Sequence, residues 1–365
     1  MYYFDLYTTR ECNLNCVYCA QDKSSRQKAE YDLEHLKKYI SGFQGEKCIV
    51  FYGGEPLLNI DFIREVMNFF RSDDIKFGIQ TNGTLLGRLS REELLQLDMI
   101  MVSVDGYEAP HDKSRGHGTY RTAIHNVIHI MDLAAHNMEI RKHTKVYARL
   151  TISDAIEYAD YSVIGLMNCF DGIFWQTCEK DYAPETYIAF SEAYNEQMRR
   201  VIDFWYSGLK AGSVISFPVF NLVYRDLALA RKCEKVRCGA NSTHFTIDID
   251  GSIFPCVDSV FEQEYKIGHI SECDSSRRHR NPVSCNICRR CAGCDVKDIC
   301  GGACWMDINN CDIGREYAYV KCSNITSIIK HIESYVNEDK GKYLALVHDD
   351  IEKNNLFYGY CEEMP

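Results

Sequence analysis

The 365-residue chain has no apolar run of about 18 residues, so no segment of it reads as a membrane-spanning helix. It has no excess of positive charge. Lys and Arg number 41 against 52 Asp and Glu, a net charge of −11. That balance, with no basic, aromatic-rich stripe, argues against electrostatically driven binding of nucleic acid. The N-terminus, Met1-Tyr2-Tyr3-Phe4-Asp5, lacks the basic start and apolar core of a secretory signal. Internal repeats and low-complexity linkers are also missing. Cysteine, by contrast, is abundant: 19 residues, 12 of them between Cys233 and Cys322. In a long chain without a signal, that richness reads as metal binding in a reducing compartment, an anaerobic cytoplasm, more than as a disulfide framework.

Three of the cysteines stand close together, in Cys12-Asn13-Leu14-Asn15-Cys16-Val17-Tyr18-Cys19, just after a strand-like run. Three thiolates can hold three irons of a 4Fe–4S cluster and leave the fourth iron open, whereas a structural cluster or zinc site takes four ligands. A zinc ion completed by a distant residue, or three unrelated core thiols, are the plainer alternatives.

Up to about Trp205 the hydrophobic pattern alternates between strands and helices. Strands are expected at 2–8, 47–52, 75–80, 99–104, 145–151 and 172–177. Helical patterns fall at 31–43, 60–70, 120–135 and 158–169. Such alternation predicts a parallel sheet covered by helices. Polar clusters follow the strands, where sites of such folds lie: Gly53-Gly54-Glu55-Pro56, Gln80-Thr81-Asn82-Gly83 and Ser103-Val104-Asp105-Gly106. Glycines at the first would let backbone approach a ligand closely. Arg149 and Trp175-Gln176 sit on later strands, but strand register, and so the face each presents, is not fixed by sequence. His111, His117, His125, His129 and His136 make no convincing ligand pair. His125 and His129 read as a surface stripe.

The cysteine spacing, with an aromatic before the third thiol, resembles the cluster loop of the radical S-adenosylmethionine (SAM) enzymes. The resemblance implies an α/β fold, a partial (β/α)6 barrel of TIM type. It also implies that the open iron chelates SAM, whose reductive cleavage gives a 5′-deoxyadenosyl radical that abstracts hydrogen from substrate. Gly53, Gly54 and Glu55 resemble the family's GGE motif, which meets the SAM amino group. Ser103, together with Asp105, is expected at the SAM ribose or carboxylate. Arg115 is expected as the positive partner of the carboxylate, with a solvated surface charge as the plain alternative. Tyr18 looks like the residue whose backbone contacts the adenine.

After about Ser207 the composition changes. Residues 245–254 read as a β-hairpin with an Asp-Gly turn. Seven cysteines (Cys238, Cys256, Cys291, Cys294, Cys300, Cys304 and Cys322) resemble in order and spacing the SPASM domain of peptide-modifying radical SAM enzymes. The expected organisation is a partial barrel at 1–207, a bridging region at 208–232, a cysteine-rich SPASM domain at 233–323 (hairpin, loops and helix), and a helix and charged tail at 324–365. The resemblance implies two auxiliary 4Fe–4S clusters. One would use Cys238, Cys256 and Cys304, with Cys233 as the best fourth ligand or an open position for substrate. The other would use Cys291, Cys294, Cys300 and Cys322. With the SAM-binding cluster, that makes three. Cys285, Cys288, Cys311 and Cys361 are extra to the pattern. They are open to a third auxiliary metal site, a shifted register, a catalytic thiol or plain burial. Cys48, Cys169 and Cys273 read as structural.

In sulfatase-maturing relatives an Asp directly follows the cysteine equivalent to Cys256 and acts as base. Here that residue is Val257, and Asp258 comes one later, which on a strand would turn it to the other face. Asp258 is therefore only a candidate base. The expected function is modification of a peptide or protein, with a thioether or C–C crosslink in a ribosomal peptide ranked first. Oxidation of Cys or Ser to formylglycine in a sulfatase ranks second, and a non-enzymatic iron–sulfur carrier or zinc scaffold a distant third. Expected partners are a peptide or protein substrate, a separate leader-binding protein (only eleven residues precede Cys12), and an electron donor such as ferredoxin or flavodoxin. Nucleic acid and membrane are not expected.

Overall fold

A computed structural model describes residues 1–21, 26–153, 159–178, 184–233, 235–272, 291–306 and 315–362. Cys273, Cys285, Cys288 and Cys311 lie outside the described residues. The strands are β1 (Tyr2–Thr9), β2 (Lys47–Gly53), β3 (Ile75–Thr81), β4 (Met99–Ser103), β5 (Lys145–Ile152), β6 (Gly172–Thr177), β7 (His244–Ile247), β8 (Ser252–Phe254) and β9 (Gly268–His269). Their order in the sheet is β6-β5-β4-β3-β2-β1-β7-β8-β9, open at both edges. The first six match the expected strands to within one residue. β1 pairs in parallel with β2 on one side and with β7 on the other, while β7, β8 and β9 pair antiparallel. A strand buried on both faces reads as a continuous apolar run. Tyr3, Phe4, Leu6 and Tyr7 of β1 and Cys48–Phe51 of β2 are all inaccessible to solvent.

The chain forms two compact units. The first comprises residues 1–104, 111–148 and 240–281; the second 105–110, 149–239 and 282–365. β5 runs from the first into the second. The hairpin β7–β8 therefore belongs with the parallel strands, and it carries Cys256 and Asp258 into the first unit.

In the first unit the helices are α1 (Leu33–Ser41), α2 (Ile60–Phe69), α3 (Arg91–Leu94), α4 (Glu108–Arg115), α5 (Thr119–His136) and α6 (Met138–His143); the first residues of α4, up to Pro110, belong to the second unit. Local chemistry sets their starts. Asp32 accepts from the Glu34 N–H at the head of α1, and Ser90 with Glu93 forms a reciprocal capping box at α3. Each helix keeps one apolar face inward, as with Phe62, Ile63, Val66 and Met67 of α2. His125 and His129 are exposed on α5.

The second unit is built on α7 (Ala159–Ile164), α8 (Pro184–Lys210), α9 (Pro218–Ala228), α10 (Lys297–Cys300), α11 (Arg315–Asp339), α12 (Leu344–Lys353) and α13 (Asn355–Tyr360). The helix expected at 158–169 is only the short α7. The charged tail forms two packed helices with Val347, Leu356 and Phe357 buried. Asp350 anchors them, accepting from Ser216 Oγ at 2.8 Å and Asn221 Nδ2 at 3.1 Å. Trp175 lies on the covered face of β6, donating to the Tyr194 hydroxyl at 3.0 Å. Arg149 and Gln176 bond to one another, the arginine 5.9 Å over Phe174. The undecided faces of β5 and β6 are thereby settled: the tryptophan is core, and the Arg–Gln pair stands on partly exposed positions.

Candidate active site

The loop with Cys12, Cys16 and Cys19 leaves the C-terminal end of β1, and three neighbours grip it. On one side the β2 turn packs backbone to backbone. Gly54 N–H donates to Thr9 O and Glu55 N–H to Glu11 O, both at 2.8 Å. A Cβ on Gly54 would collide with the carbonyls of Glu11 and Arg10, and one on Gly53, whose φ is +138°, with Thr9 O. The two glycines thus admit the cysteine loop itself. On the opposite side α4 receives the loop: Val17 N–H donates to Ser114 O at 2.9 Å, and the Arg115 guanidinium lies 5.5 Å over the Tyr18 ring. Arg115 is 92% buried, so it is not the solvated surface charge that sequence left open.

The third grip is the turn after β3, whose polar run sequence had marked without assigning partners. Asn82 Nδ2 donates to Asn13 Oδ1 at 2.8 Å, and Asn13 Nδ2 to Thr84 Oγ1 at 2.9 Å. Behind them the Glu55 side chain is fully buried. It accepts from Thr81 Oγ1 at 2.7 Å, Asn82 N–H at 2.8 Å and Leu57 N–H at 3.2 Å. Its carboxylate therefore braces two strand ends as well as facing the loop. Ser103 is half-buried at the end of β4. Asp105, in the second unit, is fully buried and accepts from Thr151 N–H at 3.0 Å, tying its turn to β5.

Burial raises Glu55 to about 7, against the three hydrogen bonds that lower it. The native state thus holds this proton more tightly than the unfolded chain does. Stability from this group is complete below the ordinary carboxylate range and is lost as pH climbs through 7. For cofactor-free protein the loss should approach about 3 kcal/mol between about pH 5 and about pH 8. Urea unfolding at those two values should show it, and Glu55→Gln should flatten the difference.

Two observations test whether the residues fit an iron–sulfur cluster. Cys16 is buried and Cys12 and Cys19 half-buried, with no disulfide among them. Burial pushes the Cys12 thiol up to about 11, with neighbouring Glu55, Cys16 and Cys19 adding to the rise. Such a thiol ionises readily only beside a positive metal centre. Among the described residues, no group of three or more His, Cys, Asp or Glu is arranged around a single metal ion. In a 4Fe–4S cluster each thiolate would meet its own iron.

In the second unit, Cys291 and Cys294 bracket a turn (Cys294 N–H to Cys291 O, 3.1 Å), and Cys300 ends α10. Gly301, Gly302 and Ala303 follow with φ of +66°, +87° and +60°. Their geometry aims the Gly302 and Ala303 N–H groups at the Cys300 sulfur. Successive amides of this kind form an anion-binding nest, common at iron–sulfur sites. Burial raises Cys300 to about 11, and Cys322 adds to the rise while Arg237 opposes it. Cys233 packs against the same turn, so close that a Cβ on Gly301 would meet its sulfur at 2.5 Å. Cys238 and Cys304 are half-buried, and Cys361 is buried. Cys256 stands after β8 in the first unit, half-buried, and Asp258 two residues on is exposed.

Residues 6–139 match the Radical SAM superfamily model. The chain is 25% identical over 357 residues to a cysteine-type anaerobic sulfatase-maturating enzyme of Clostridium novyi (strain NT), spanning 91% of this chain and 93% of that protein. It is 22% identical to the radical SAM cyclopropyl synthase TigE of Paramaledivibacter caminithermalis, over 84% of this chain and 71% of that one. Among solved structures, AdoMet-bound anSMEcpe superposes with a TM-score of 0.73 at 17% identity, covering 96% of this chain and 98% of that one. SuiB of Streptococcus suis bound to S-adenosylmethionine gives 0.56 at 15% identity, over 86% and 75%. Such low identities speak for shared fold. Residues 6–139 thus carry a radical SAM domain, and the relatives matched along most of the chain are radical SAM or sulfatase-maturating enzymes. Together with the shared fold they support an enzyme similar to the SPASM-type radical SAM maturases.

Proposed function

We propose that the protein modifies a peptide or protein side chain by SAM-dependent hydrogen abstraction. The observation that carries this reading is the three-thiol loop clamped between Gly53-Gly54, Asn82 and Arg115. Cys12, Cys16 and Cys19 would hold the 4Fe–4S cluster that binds SAM. Together, cluster and SAM supply a hydrogen-abstracting radical by reductive cleavage of the sulfonium. The chain's own part is to bind, orient and exclude water. Gly53 and Gly54 keep the β2 turn tight against the loop, and Glu55 would turn its buried carboxyl toward the SAM amino group. Ser103 and Arg115 would meet the SAM carboxylate, and the Tyr18 ring, 5.5 Å from the guanidinium, supports Arg115.

Replacing Arg115 with Met should weaken SAM binding by about ten- to a hundredfold, since a hydrogen bond to a charged group contributes roughly 1.5–3 kcal/mol. Equilibrium dialysis with labelled SAM on the iron-loaded protein measures this.

Cys233, Cys238, Cys256 and Cys304, and separately Cys291, Cys294, Cys300 and Cys322, are proposed to hold two auxiliary clusters. Two of the solved structures that match along most of the chain hold peptides: anSMEcpe with the Cp18Cys peptide and SuiB with precursor peptide SuiA. A crosslinked ribosomal peptide is the first reading, because Val257 replaces the Asp expected of a sulfatase maturase and Asp258 points to solvent at the head of a short turn. Formylglycine formation is the second, favoured by the 91% coverage of this chain in the match to the Clostridium novyi enzyme. An electron donor such as ferredoxin or flavodoxin, and a separate leader-binding protein, complete the proposed partners. A reducing cytoplasm is the proposed setting. No described helix is long and apolar enough to cross a membrane.

Anaerobic reconstitution followed by iron and sulfide analysis and incubation with SAM tests the reading. Three clusters and 5′-deoxyadenosine are expected. One cluster's worth of iron, or no deoxyadenosine, would overturn it. Mass spectrometry of a Cys-rich peptide and of a sulfatase, each co-expressed with the enzyme, separates the two reactions. A crosslink removes a pair of hydrogens; oxidation of Cys to formylglycine also exchanges sulfur for oxygen, and oxidation of Ser, which removes the same two hydrogens as a crosslink, is told apart by the reaction of its aldehyde with a hydrazide.

A further inference from the structure

Tyr7 lies on β1, fully buried, with its ring 5.3 Å from Tyr52. Its hydroxyl is spent in two directions. It accepts from Gln21 Nε2 at 3.1 Å and donates to Val257 O at 3.2 Å. Gln21 is two residues past Cys19, and the same Nε2 also reaches Gly53 O at 3.4 Å. Val257 directly follows Cys256. A single phenol therefore ties the segment carrying the SAM-cluster cysteines to the segment carrying the first auxiliary ligand, and both to the glycine turn.

The neighbouring packing reinforces the tie. The Arg10 guanidinium sits 4.7 Å over the Tyr7 ring and 5.5 Å over Phe261, and Asp248 holds it at 2.5 and 2.6 Å. The segment beyond Val257 is itself closed by Ser259, whose Oγ donates to Cys256 O at 2.7 Å and accepts from Cys256 N–H at 3.2 Å. Cys256–Phe261 is thus a small rigid turn, fastened to β1 at Val257 through Tyr7 and at Phe261 through Arg10.

We propose that Tyr7 is a positioning residue, working with Gln21 to hold the Cys256 turn in fixed register with the SAM-cluster loop and to keep water from the Cys256 thiolate. This rests on the reading that Cys256 ligates an auxiliary cluster. The physical requirement is specific. Phenylalanine fills the same volume and keeps both ring contacts, but it leaves Val257 O and Gln21 Nε2 without their buried partner. Glutamate at 21 keeps the side-chain length but offers only acceptors to Tyr7. The phenol then turns its proton to the carboxylate and releases Val257. Both variants unfasten the turn and leave the three thiols of the cluster loop in place. Cluster potential follows solvent exposure. A wetter Cys256 favours the more highly charged reduced cluster, so the potential should rise.

The test uses iron-loaded wild type, Tyr7→Phe and Gln21→Glu. Hydrogen exchange should speed up by about tenfold at the backbone amides of Val257–Glu262 in both variants, the loss of a hydrogen bond of about 1.4 kcal/mol. Exchange in β2 and β3 should stay unchanged. Electron paramagnetic resonance during a potential titration should show the reduced fraction of one auxiliary cluster rising severalfold at fixed ambient potential, with the SAM-cluster signal unmoved. Unchanged exchange at 257–262 in both variants, or faster exchange with unaltered auxiliary potentials, would overturn the proposal. Deoxyadenosine formation from SAM alone by the wild type keeps the two readings apart. Its absence would sink the proposed function, while the exchange comparison would still decide the role of Tyr7.

Discussion

Cys16→Ala is expected to abolish 5′-deoxyadenosine formation and to remove one cluster's iron, leaving the auxiliary iron in place. Cys16 is the most buried of the three loop thiols, and the Cys19 N–H closes onto its carbonyl at 3.2 Å. On the proposed function, alanine there would delete one of the three proposed iron ligands, and the remaining pair would not hold the cluster. Cys48→Ala is the matched control. That thiol is also buried, but it sits within β2, where its Sγ donates to the Ile49 carbonyl at 3.7 Å. Its loss should cost stability of about 1 kcal/mol and spare activity. Iron analysis and chromatography of deoxyadenosine decide both. Retained cleavage in the Cys16 variant would move the cluster elsewhere.

Gly54→Ala is expected to do nearly as much damage without touching a ligand. Its Cβ would sit inside contact distance of backbone atoms of Arg10 and Glu11, which have no rotamer with which to evade it. The β2 turn or the cysteine loop must shift, and either breaks the bonds from Gly54 to Thr9 and from Glu55 to Glu11. Overpacking alone costs roughly 1–3 kcal/mol, and two lost backbone hydrogen bonds add about 1 kcal/mol each. Thermal unfolding should fall by several degrees, and cluster occupancy should fall with it. Gly118→Ala, at a glycine with open space around its Cβ position but φ of +77°, should show only a modest backbone cost and keep the cluster.

Much of this was legible in the sequence, for identifiable reasons. The six parallel strands announced themselves because buried parallel strands are continuous apolar runs, as in Cys48-Ile-Val-Phe51. The thiol loop was legible because ligand chemistry restricts spacing. The partners of each polar group were not. Glu55 looked like a ligand-facing residue, and its bonds to Thr81 and Asn82 come from strands that meet only in the fold. Gly54 looked like a glycine for a cofactor, and what it approaches is Glu11. The hairpin at 244–254 was legible as a hairpin, but its parallel pairing with β1 was not, since nothing local distinguishes an edge that docks from one that stays free. The tail helices were hidden by their charge, which decorates the outer face while Val347 and Phe357 supply the inner one.

That pairing of β1 bears on how the chain reaches its fold. β1 is flanked on one side by β2, the next strand along the chain, and on the other by β7, which begins at His244, some 240 residues later in the sequence. Until then the backbone donors and acceptors along one edge of β1 have no partner, just where the cysteine loop begins. Closure over so long a separation is slow, and an exposed apolar strand edge invites pairing with other chains. Completion of the sheet around β1 in a growing polypeptide therefore waits on a late segment, so the order of synthesis becomes a constraint on yield.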